Sequence, residues 1–312
     1  MVAVAPDDLW AFGRTGTDRN GRPYALRGDG EHWTPSPLPE QAKGGVLDAA
    51  ASGPADVWLI TGSTRNPTVF RGDGKSWAAQ DGLPYGTRIE ALDATHAWAY
   101  WPGAVDQIWF HDGAAWRPTA LPDGVALQAF DATSPGDLWA VGSTPTGVFR
   151  SDGSRWTQVR HLDWAANVLV AAAPDDVWIM GNRIPPPVEE REVEPLTVPL
   201  AAHWDGHSWR QIDLPQQWRP LRAVADGRGG VRVLVAPNPP DDDAVAPTTA
   251  ILSLSATGTE EVSAPMIFGG RVSLNGLAVV GDTVWAVGAA YPASVTLSAS
   301  TSVVYTRQSR RS

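Results

Sequence analysis

The sequence predicts an all-β fold, a seven-bladed β-propeller of four-stranded antiparallel blades, and leaves open whether the last blade is complete. The first observation is a segment that reads Asp, Val or Leu, Trp, and then apolar residues that close on Gly. Its seven copies lie at residues 8–13, 56–62, 96–100, 137–142, 176–181, 230–235 and 282–288, and the copy at 230–235 has lost its tryptophan. The copies predict that the chain is built from internal repeats.

The second observation is a turn motif, Asp-Gly-x-x-Trp, that follows each of the first five copies. It occurs at residues 29–33, 73–77, 112–116, 152–156 and 205–209. Asp-Gly between two apolar runs is a strong signal for a β-hairpin. A repeat of roughly 40 residues with turn signals every ~10 residues is typical of a propeller blade.

Each repeat divides into four predicted strands. Strand A is a small-residue run such as 127–130, strand B is the Trp-bearing segment, strand C ends at the Asp-Gly turn, and strand D begins at the Trp. The blades are predicted at 1–40, 44–84, 87–122, 125–160, 163–215, 219–263 and 270–309, within one domain that spans 1–312. The strand-B tryptophans are expected to be buried between neighbouring blades, namely Trp10, Trp58, Trp98, Trp139, Trp178 and Trp285.

Composition narrows the function classes. The 312 residues are 43% hydrophobic with a net charge of −10, and no basic stripe is present, which argues against nucleic acid or an anionic membrane as a partner. Cysteine is absent, which excludes disulfides, thiolate catalysis and Cys-based zinc sites. The sequence has no apolar run of 18 residues, so membrane insertion is not expected, and no motif indicates a cofactor.

The two ends of the chain depart from the repeat. Only five residues precede the first Pro-Asp-Asp turn, and no Asp-Gly turn follows the strand predicted at 302–306. Two interpretations stay open, a truncation that removed an upstream segment, and a last blade of three strands. A removed signal or anchor predicts an extracytoplasmic protein, and otherwise a cytoplasmic one is expected.

These motifs resemble two kinds of known propeller repeat. The Asp-Gly-x-x-Trp turn is similar to the Asp-box of bacterial neuraminidase repeats, shortened by one residue. The Asp-Val-Trp-Ala-Val-Gly strand resembles the Trp-rich, WD40-like propeller repeats of uncharacterised bacterial proteins. The resemblance covers nearly the whole chain and implies the fold. It carries over no catalytic residue, because propellers host lectins, scaffolds, hydrolases and lyases alike.

Loop length points to one face of the propeller. The A–B and C–D turns are uniformly tight, whereas the B–C connections vary and reach their greatest length at 182–200. Long variable loops on a rigid scaffold commonly carry function, so the face formed by the B–C and D–A loops is predicted to be the working one. Pro185, Pro186 and Pro187 favour an extended recognition segment, and the alternative is an acidic solvated loop.

The acidic run of the sixth blade is a weak candidate for a metal site. Three consecutive carboxylates lie in its B–C connection, Asp241, Asp242 and Asp243. Calcium needs oxygen ligands spaced so that they converge on one point. An unpatterned acidic turn is the competing interpretation, and it is favoured.

Polar residues recur near the start of strand A and form the first candidate site. They are Asp48, Glu90, Gln128, Asn167, Arg222 and Asn275. Placed in one register around a ring, they are expected to line the mouth of the central channel, where propellers commonly bind a ligand. Alternatively they solvate a water-filled tunnel. Asp48 and Glu90 fall in adjacent blades, which permits an acid/base pair if the protein is an enzyme.

Three tryptophans lie outside the repeat positions and form the second candidate site. They are Trp101, Trp164 and Trp218, and the polar residues near them in sequence include Arg88, His161, Asp163 and Arg219. Tryptophan beside such groups often grips a sugar or anchors a peptide. The alternative is that these rings only cover loops.

Two hypotheses of function therefore remain. The favoured one is a non-catalytic recognition or scaffold propeller that binds a protein, a peptide or a glycan on the B–C/D–A face. The other is a hydrolase or lyase that acts on a glycan or small molecule with Asp or Glu as acid and base. Recognition is favoured because no nucleophile–base pair or metal signature emerges from the repeats. The sequence leaves the oligomeric state open.

Overall fold

The chain is a seven-bladed β-propeller. The computed structural model describes residues 1–16, 21–83, 85–105, 107–184, 197–238, 248–263, 270–292 and 301–308. Within these ranges 27 strands form seven antiparallel sheets, and inside each sheet every strand pairs with its neighbours in chain order. Six sheets have four strands and the last has three, so the predicted fold class is confirmed and the last blade is the exceptional one. In the same ranges no helix long and apolar enough to cross a membrane is found.

The first of two compact units comprises Met1–Leu138 with Arg150–Thr157. Its first blade contains β1 (Val2–Ala5), β2 (Asp8–Arg14), β3 (Pro23–Gly28) and β4 (Trp33–Ser36). The second contains β5 (Gly45–Gly53), β6 (Asp56–Ser63), β7 (Asn66–Gly72) and β8 (Trp77–Gln80). The third contains β9 (Arg88–Asp93), β10 (His96–Tyr100), β11 (Gln107–His111) and β12 (Trp116–Ala120).

The fourth blade contains β13 (Leu127–Ser134), β14 (Asp137–Ser143), β15 (Thr146–Ser151) and β16 (Trp156–His161). The second compact unit comprises Trp139–Phe149 with Gln158–Ser312. Its fifth blade contains β17 (Ala165–Ala173), β18 (Asp176–Arg183), β19 (Val198–Trp204) and β20 (Trp209–Asp213). The sixth contains β21 (Trp218–Ala225), β22 (Val231–Pro237), β23 (Ala250–Ser255) and β24 (Gly258–Ser263), and the seventh contains β25 (Gly270–Val280), β26 (Thr283–Pro292) and β27 (Thr301–Gln308).

The hydrophobic core lies between successive sheets. Between the second and third blades, Trp58 and Ile60 pack with Ile89 and Trp116, all of them buried. Such packing follows from strand alternation, because every second side chain of a strand points to the same neighbouring sheet. The predicted burial of the strand-B tryptophans is confirmed, with exposed fractions of 1% for Trp10, 0% for Trp58, 3% for Trp98, 1% for Trp139, 0% for Trp178 and 7% for Trp285.

An aspartate and an arginine hold the strand-B tryptophan in place. In the second blade, Arg71 Nε donates to Asp56 Oδ1 at 2.6 Å, and the guanidinium lies 4.8 Å from the centroid of the Trp58 ring. Arg71 Nη2 also donates to the carbonyl of Ala94 in the third blade at 2.7 Å. The aspartate pairing recurs as Arg27 with Asp8 at 2.8 Å, Arg150 with Asp137 at 2.5 Å, and His203 with Asp176 at 2.8 Å. In the second blade the cluster therefore joins strands B and C to the next blade.

The Asp-Gly motifs form tight turns capped by the aspartate. Asp152 Oδ1 accepts the backbone N–H groups of Ser154 at 2.9 Å and Arg155 at 2.8 Å, together with the Ser154 hydroxyl at 2.7 Å. Gly153 follows with φ of 88°, a left-handed conformation that favours glycine. These hydrogen bonds, led by that of the Ser154 hydroxyl, lower the pKa of Asp152 to about 2.

Removing a strand-B tryptophan should destabilise the protein strongly. Trp139→Ala is expected to lower the free energy of unfolding by ~3–5 kcal/mol, because it removes a buried ring and leaves a cavity. Urea unfolding followed by circular dichroism measures the change. Trp101→Ala is the matched control, since this ring is 51% exposed, and its unfolding midpoint should stay close to that of the wild type. Equal midpoints for both variants would contradict the burial.

Substitution of two turn glycines by alanine distinguishes the cost of backbone strain from the cost of a steric clash. Gly74 and Gly82 have φ of 83° and 91°. A Cβ on Gly74 would lie 2.5 Å from the Pro54 carbonyl oxygen, whereas one on Gly82 has nothing within 4 Å. Gly82→Ala should cost ~1–2 kcal/mol through conformation alone, and Gly74→Ala should cost more. Comparison of the two unfolding midpoints tests this, and an equal loss would show that the Pro54 contact is unimportant.

The capped aspartates should make the fold sensitive to acid. Hydrogen bonds from the backbone N–H groups of Ala115 and Ala114 lower the pKa of Asp112 to about 2, and the pKa of Asp152 is lowered to a similar value. Because both folded-state values lie below the usual 3.8, the stabilisation is complete above about pH 4 and is lost as the pH falls toward 2. Asparagine keeps the acceptor oxygen but does not titrate. The double variant Asp112→Asn/Asp152→Asn should therefore lose less free energy of unfolding than the wild type as the pH falls from 4 toward 2.

Urea midpoints at pH 6, 4 and 2.5 provide the measurement. Asp213→Asn serves as the control, because Asp213 is an exposed carboxylate at the end of β20 and lies in no Asp-Gly turn. A double variant whose midpoint falls as steeply as that of the wild type would rule out these caps as the source of acid sensitivity.

Candidate functional site

The polar positions of strand A do not share one register, which corrects the sequence-based expectation. Asp48 pairs with Ile60, two residues after the strand-B tryptophan, whereas Glu90 pairs with the tryptophan itself, Trp98. The difference arises from a β-bulge between Val46 and Asp48, since a bulge adds one residue to one strand. The third blade has no bulge at this point of strand A.

Strand A of the second unit shows the same irregularity. Asn167 and Asn275 are themselves the bulged residues of β17 and β25, and both are exposed. Arg222 follows a bulge in β21 and pairs with Leu234, so its position corresponds to that of Asp48. In the first unit, the remaining strand-A residue, Gln128, is half-buried in β13. Ligand binding by the six strand-A residues stays a prediction.

Asp48 and Glu90 lie in a charged cluster around a buried tyrosine. Burial raises the pKa of Tyr100, the charges of Glu90 and Asp48 raise it further, and Arg88 opposes them. Asp48 is 7% exposed, and its Oδ2 accepts the backbone N–H of Ile89 at 3.2 Å. One oxygen of this carboxylate therefore stabilises the contact between the second and third blades. The burial of Asp48 and its hydrogen bond to Ile89 weaken the hypothesis of an Asp48–Glu90 acid/base pair.

The three extra tryptophans have different environments. Trp101 is 51% exposed, whereas Trp164 is 3% exposed and belongs to the core. Trp218 is half-buried, begins β21 and packs against the apolar cluster between the fifth and sixth blades. Burial of Trp164 favours the alternative that this ring covers a loop. Trp101 alone of the three presents a mostly exposed ring, and His161 is also exposed.

The loop that carries Trp101 is fixed by backbone hydrogen bonds. Ala104 N–H donates to the Trp101 carbonyl at 2.8 Å, Gly103 N–H donates to the Leu127 carbonyl at 2.5 Å, and Leu127 N–H donates to the Ala104 carbonyl at 2.9 Å. Leu127 begins β13, so this B–C connection is tied to the next blade. The Trp101 ring is therefore exposed on a constrained backbone.

Further residues complete the rim of the third blade. Val105, in the same loop, is 47% exposed. Arg88 begins β9 and pairs with Tyr100, the residue that precedes Trp101, so its strand starts at the same end of the sheet. At the far end of the loop, Gln107 Nε2 donates to the Tyr85 hydroxyl at 3.3 Å. The rim thus combines two exposed apolar side chains with a cation.

Asn238 connects three loops in the second unit and was not identified from the sequence. Its Nδ2 donates to the carbonyls of Thr197 and Gln216, each at 2.8 Å, and its Oδ1 accepts the Thr197 hydroxyl at 3.0 Å. Asn238 is 8% exposed, so these bonds satisfy a buried amide. Residues 185–196, with the predicted proline-rich segment, and Asp241, Asp242 and Asp243 lie outside the described residues.

The arginine and histidine partners of the strand-B aspartates were also missed. A signal for them exists, because Arg27, Arg71, Arg150 and His203 each lie two residues before an Asp-Gly turn. Among the described residues, no group of three potential metal-binding side chains is found. Of the residues predicted as site residues, the structure places Asp48, Glu90 and Arg88 in the charged group around Tyr100, and Trp101 on the rim of the third blade.

Comparison with known proteins supports the fold. No protein-family model matches the chain, and no curated protein matches it by sequence. A solved structure of YCF48 bound to a D1 peptide is 13% identical, with a TM-score of 0.60 over 99% of this chain and 100% of that chain.

Two other solved structures are similar in the same way. The β-propeller domain of the trilobed protease from Pyrococcus furiosus, described as having an open velcro topology, is 8% identical, with a TM-score of 0.59 over 98% of this chain and 93% of that chain. An ancestral GH74 enzyme is 11% identical, with a TM-score of 0.53 over 92% of this chain and 45% of that chain. At these identities the likeness shows the β-propeller fold alone.

Proposed function

We propose that the protein is a recognition propeller that binds another protein or a peptide through the rim of the third blade. The observation that carries the proposal is the ring of Trp101, which is 51% exposed on a loop fixed to Leu127 by two backbone hydrogen bonds. Exposed tryptophan on a constrained backbone is typical of a binding anchor, because little conformational entropy is lost when a partner covers it.

The chemistry of the rim suggests what the partner presents. Trp101 and Val105 offer apolar surface, and Arg88 at the same end of the sheet offers a cation. Within the described residues, no ion pair of Arg88 is found. A partner segment with an apolar side chain next to a carboxylate fits this combination. The similar fold of a YCF48 structure that contains a peptide is consistent with a protein or peptide partner.

The hydrolase alternative has weaker support. It rests on the closeness of Asp48 and Glu90 to Tyr100 and on the similar fold of a glycoside hydrolase. A general acid or base must reach the substrate, and Asp48 is buried and bonded to the backbone of Ile89. The recognition proposal requires neither carboxylate to react.

Selection from a phage-displayed random peptide library tests the proposal. Peptides enriched on the wild-type protein should bind Trp101→Ala more weakly by ~1–4 kcal/mol, because the variant removes the anchor. Arg88→Gln should weaken the peptides that carry a carboxylate and leave the neutral ones unchanged. Val159→Ala is the matched control, since Val159 is an exposed apolar residue, at 40%, on the edge strand β16 and is not part of the rim defined above.

Two results would contradict the proposal. One is a set of enriched peptides that bind Trp101→Ala and the wild type equally well. The other is a library that yields no binder above background. Melting temperatures of the three variants establish that each is folded, which the exposure of Trp101 and Val159 leads us to expect.

A further inference from the structure

Arg160 is an unusual cation on the outer strand of the fourth blade. It is half-buried in β16, and its guanidinium lies 5.4 Å from the centroid of the Trp209 ring. In the described part of the chain, no hydrogen-bond partner is found for its buried Nε. Burial lowers the pKa of this arginine, which indicates that its charge is incompletely solvated. An aromatic contact thus holds this cation against the protein.

The Trp209 ring also packs against two other tryptophan rings. It lies 6.2 Å from Trp139 in a T-shaped arrangement and 5.7 Å from Trp204 in a tilted one. A fixed indole restricts the guanidinium that stacks on it, which reduces the entropy lost when that guanidinium binds a ligand. The position of Arg160 is therefore partly preorganised.

A second arginine lies close to the same acidic residue. Arg183 Nη2 is 2.9 Å from Asp163 Oδ2 and 3.2 Å from Asp163 Oδ1. The charge of Asp163 also acts on Arg160. Among the described residues, Asp163 therefore forms an ion pair with Arg183 and interacts electrostatically with Arg160, so that two guanidinium groups lie near one carboxylate. This local pair of cations contrasts with the net charge of −10 of the whole chain.

We propose that Arg160 and Arg183 form a binding site for an oxyanion, beside Asp163. Arginine presents a fork of N–H donors that matches the oxygens of a carboxylate or a phosphate. The bound group would accept hydrogen bonds from Arg160. The chemistry is shared by a carboxylate of a protein or peptide and by a phosphate group. The site lies in the second compact unit and does not depend on the function proposed for Trp101.

Titration of the protein with inorganic phosphate and, separately, with acetate tests the site. Sodium chloride keeps the ionic strength constant, which removes general screening effects. The signals are the side-chain Nε–H resonances of the arginines in nitrogen-15 NMR spectra, assigned through the variants themselves. Saturable shifts of the Arg160 and Arg183 resonances are expected.

Two substitutions at the site should act in opposite directions. Arg160→Gln should weaken phosphate binding by about tenfold, because it removes charge-assisted hydrogen bonds. Asp163→Asn should strengthen it by about fivefold, because it removes the competing negative charge next to both arginines. The matched controls are Arg117→Gln and Asp112→Asn, which alter another exposed Arg–Asp pair, at 2.7 Å, and should leave the affinity unchanged.

The outcomes distinguish the ligand sources. Saturation by both anions supports a general oxyanion site, saturation by phosphate alone supports a phosphate site, and saturation by acetate alone supports a carboxylate site. Shifts that stay linear with concentration, or that Arg117 shows equally, overturn the proposal. A weakening of phosphate binding by Asp163→Asn also overturns it, provided that the variant melts at the wild-type temperature.

Discussion

The packing of a buried tryptophan of one blade against the next sheet is the interaction on which the rest of the structure depends. In the second blade, Trp58 meets Trp116 of the third blade at 5.5 Å, and Arg71 covers the indole while it bonds to Asp56 and to the carbonyl of Ala94. One arginine therefore neutralises a buried carboxylate, fixes an aromatic ring and holds the neighbouring blade. A buried carboxylate without such a partner would carry a large desolvation cost.

This cluster tolerates changes in residue type as long as the space between the sheets is filled. In the fifth blade, His203 replaces the arginine, stacks on Trp178 at 4.1 Å and shares Asp176 with the indole N–H. In the sixth blade, Arg232 occupies the tryptophan position and pairs with Asp226. The loss of the motif in that repeat does not disrupt the blade, because its strands still bury Val231 and Val233.

The sequence predicts the repeat well and the site only in part. Tryptophan and Asp-Gly spacing reveal the blades because each marks a backbone feature, a buried ring or a turn that needs a glycine with positive φ. The register of strand A was predicted wrongly, since a bulge such as that before Asp48 adds a residue without a signal in the residue pattern. Exposure also escaped prediction. Trp101 follows strand B of the third blade and Trp164 precedes strand A of the fifth, and only tertiary packing decides that one is exposed and the other buried.

Residues shared by the blades build the scaffold, and residues that occur in one blade alone, such as Trp101, are proposed to carry recognition. Hydrogen–deuterium exchange, with and without a peptide selected on the wild-type protein, tests this division most directly. The account predicts slower exchange on binding at residues 101–105 and at Leu127, and unchanged exchange at the Asp-Gly turns. Protection confined to those turns, with no change around Trp101, would contradict it.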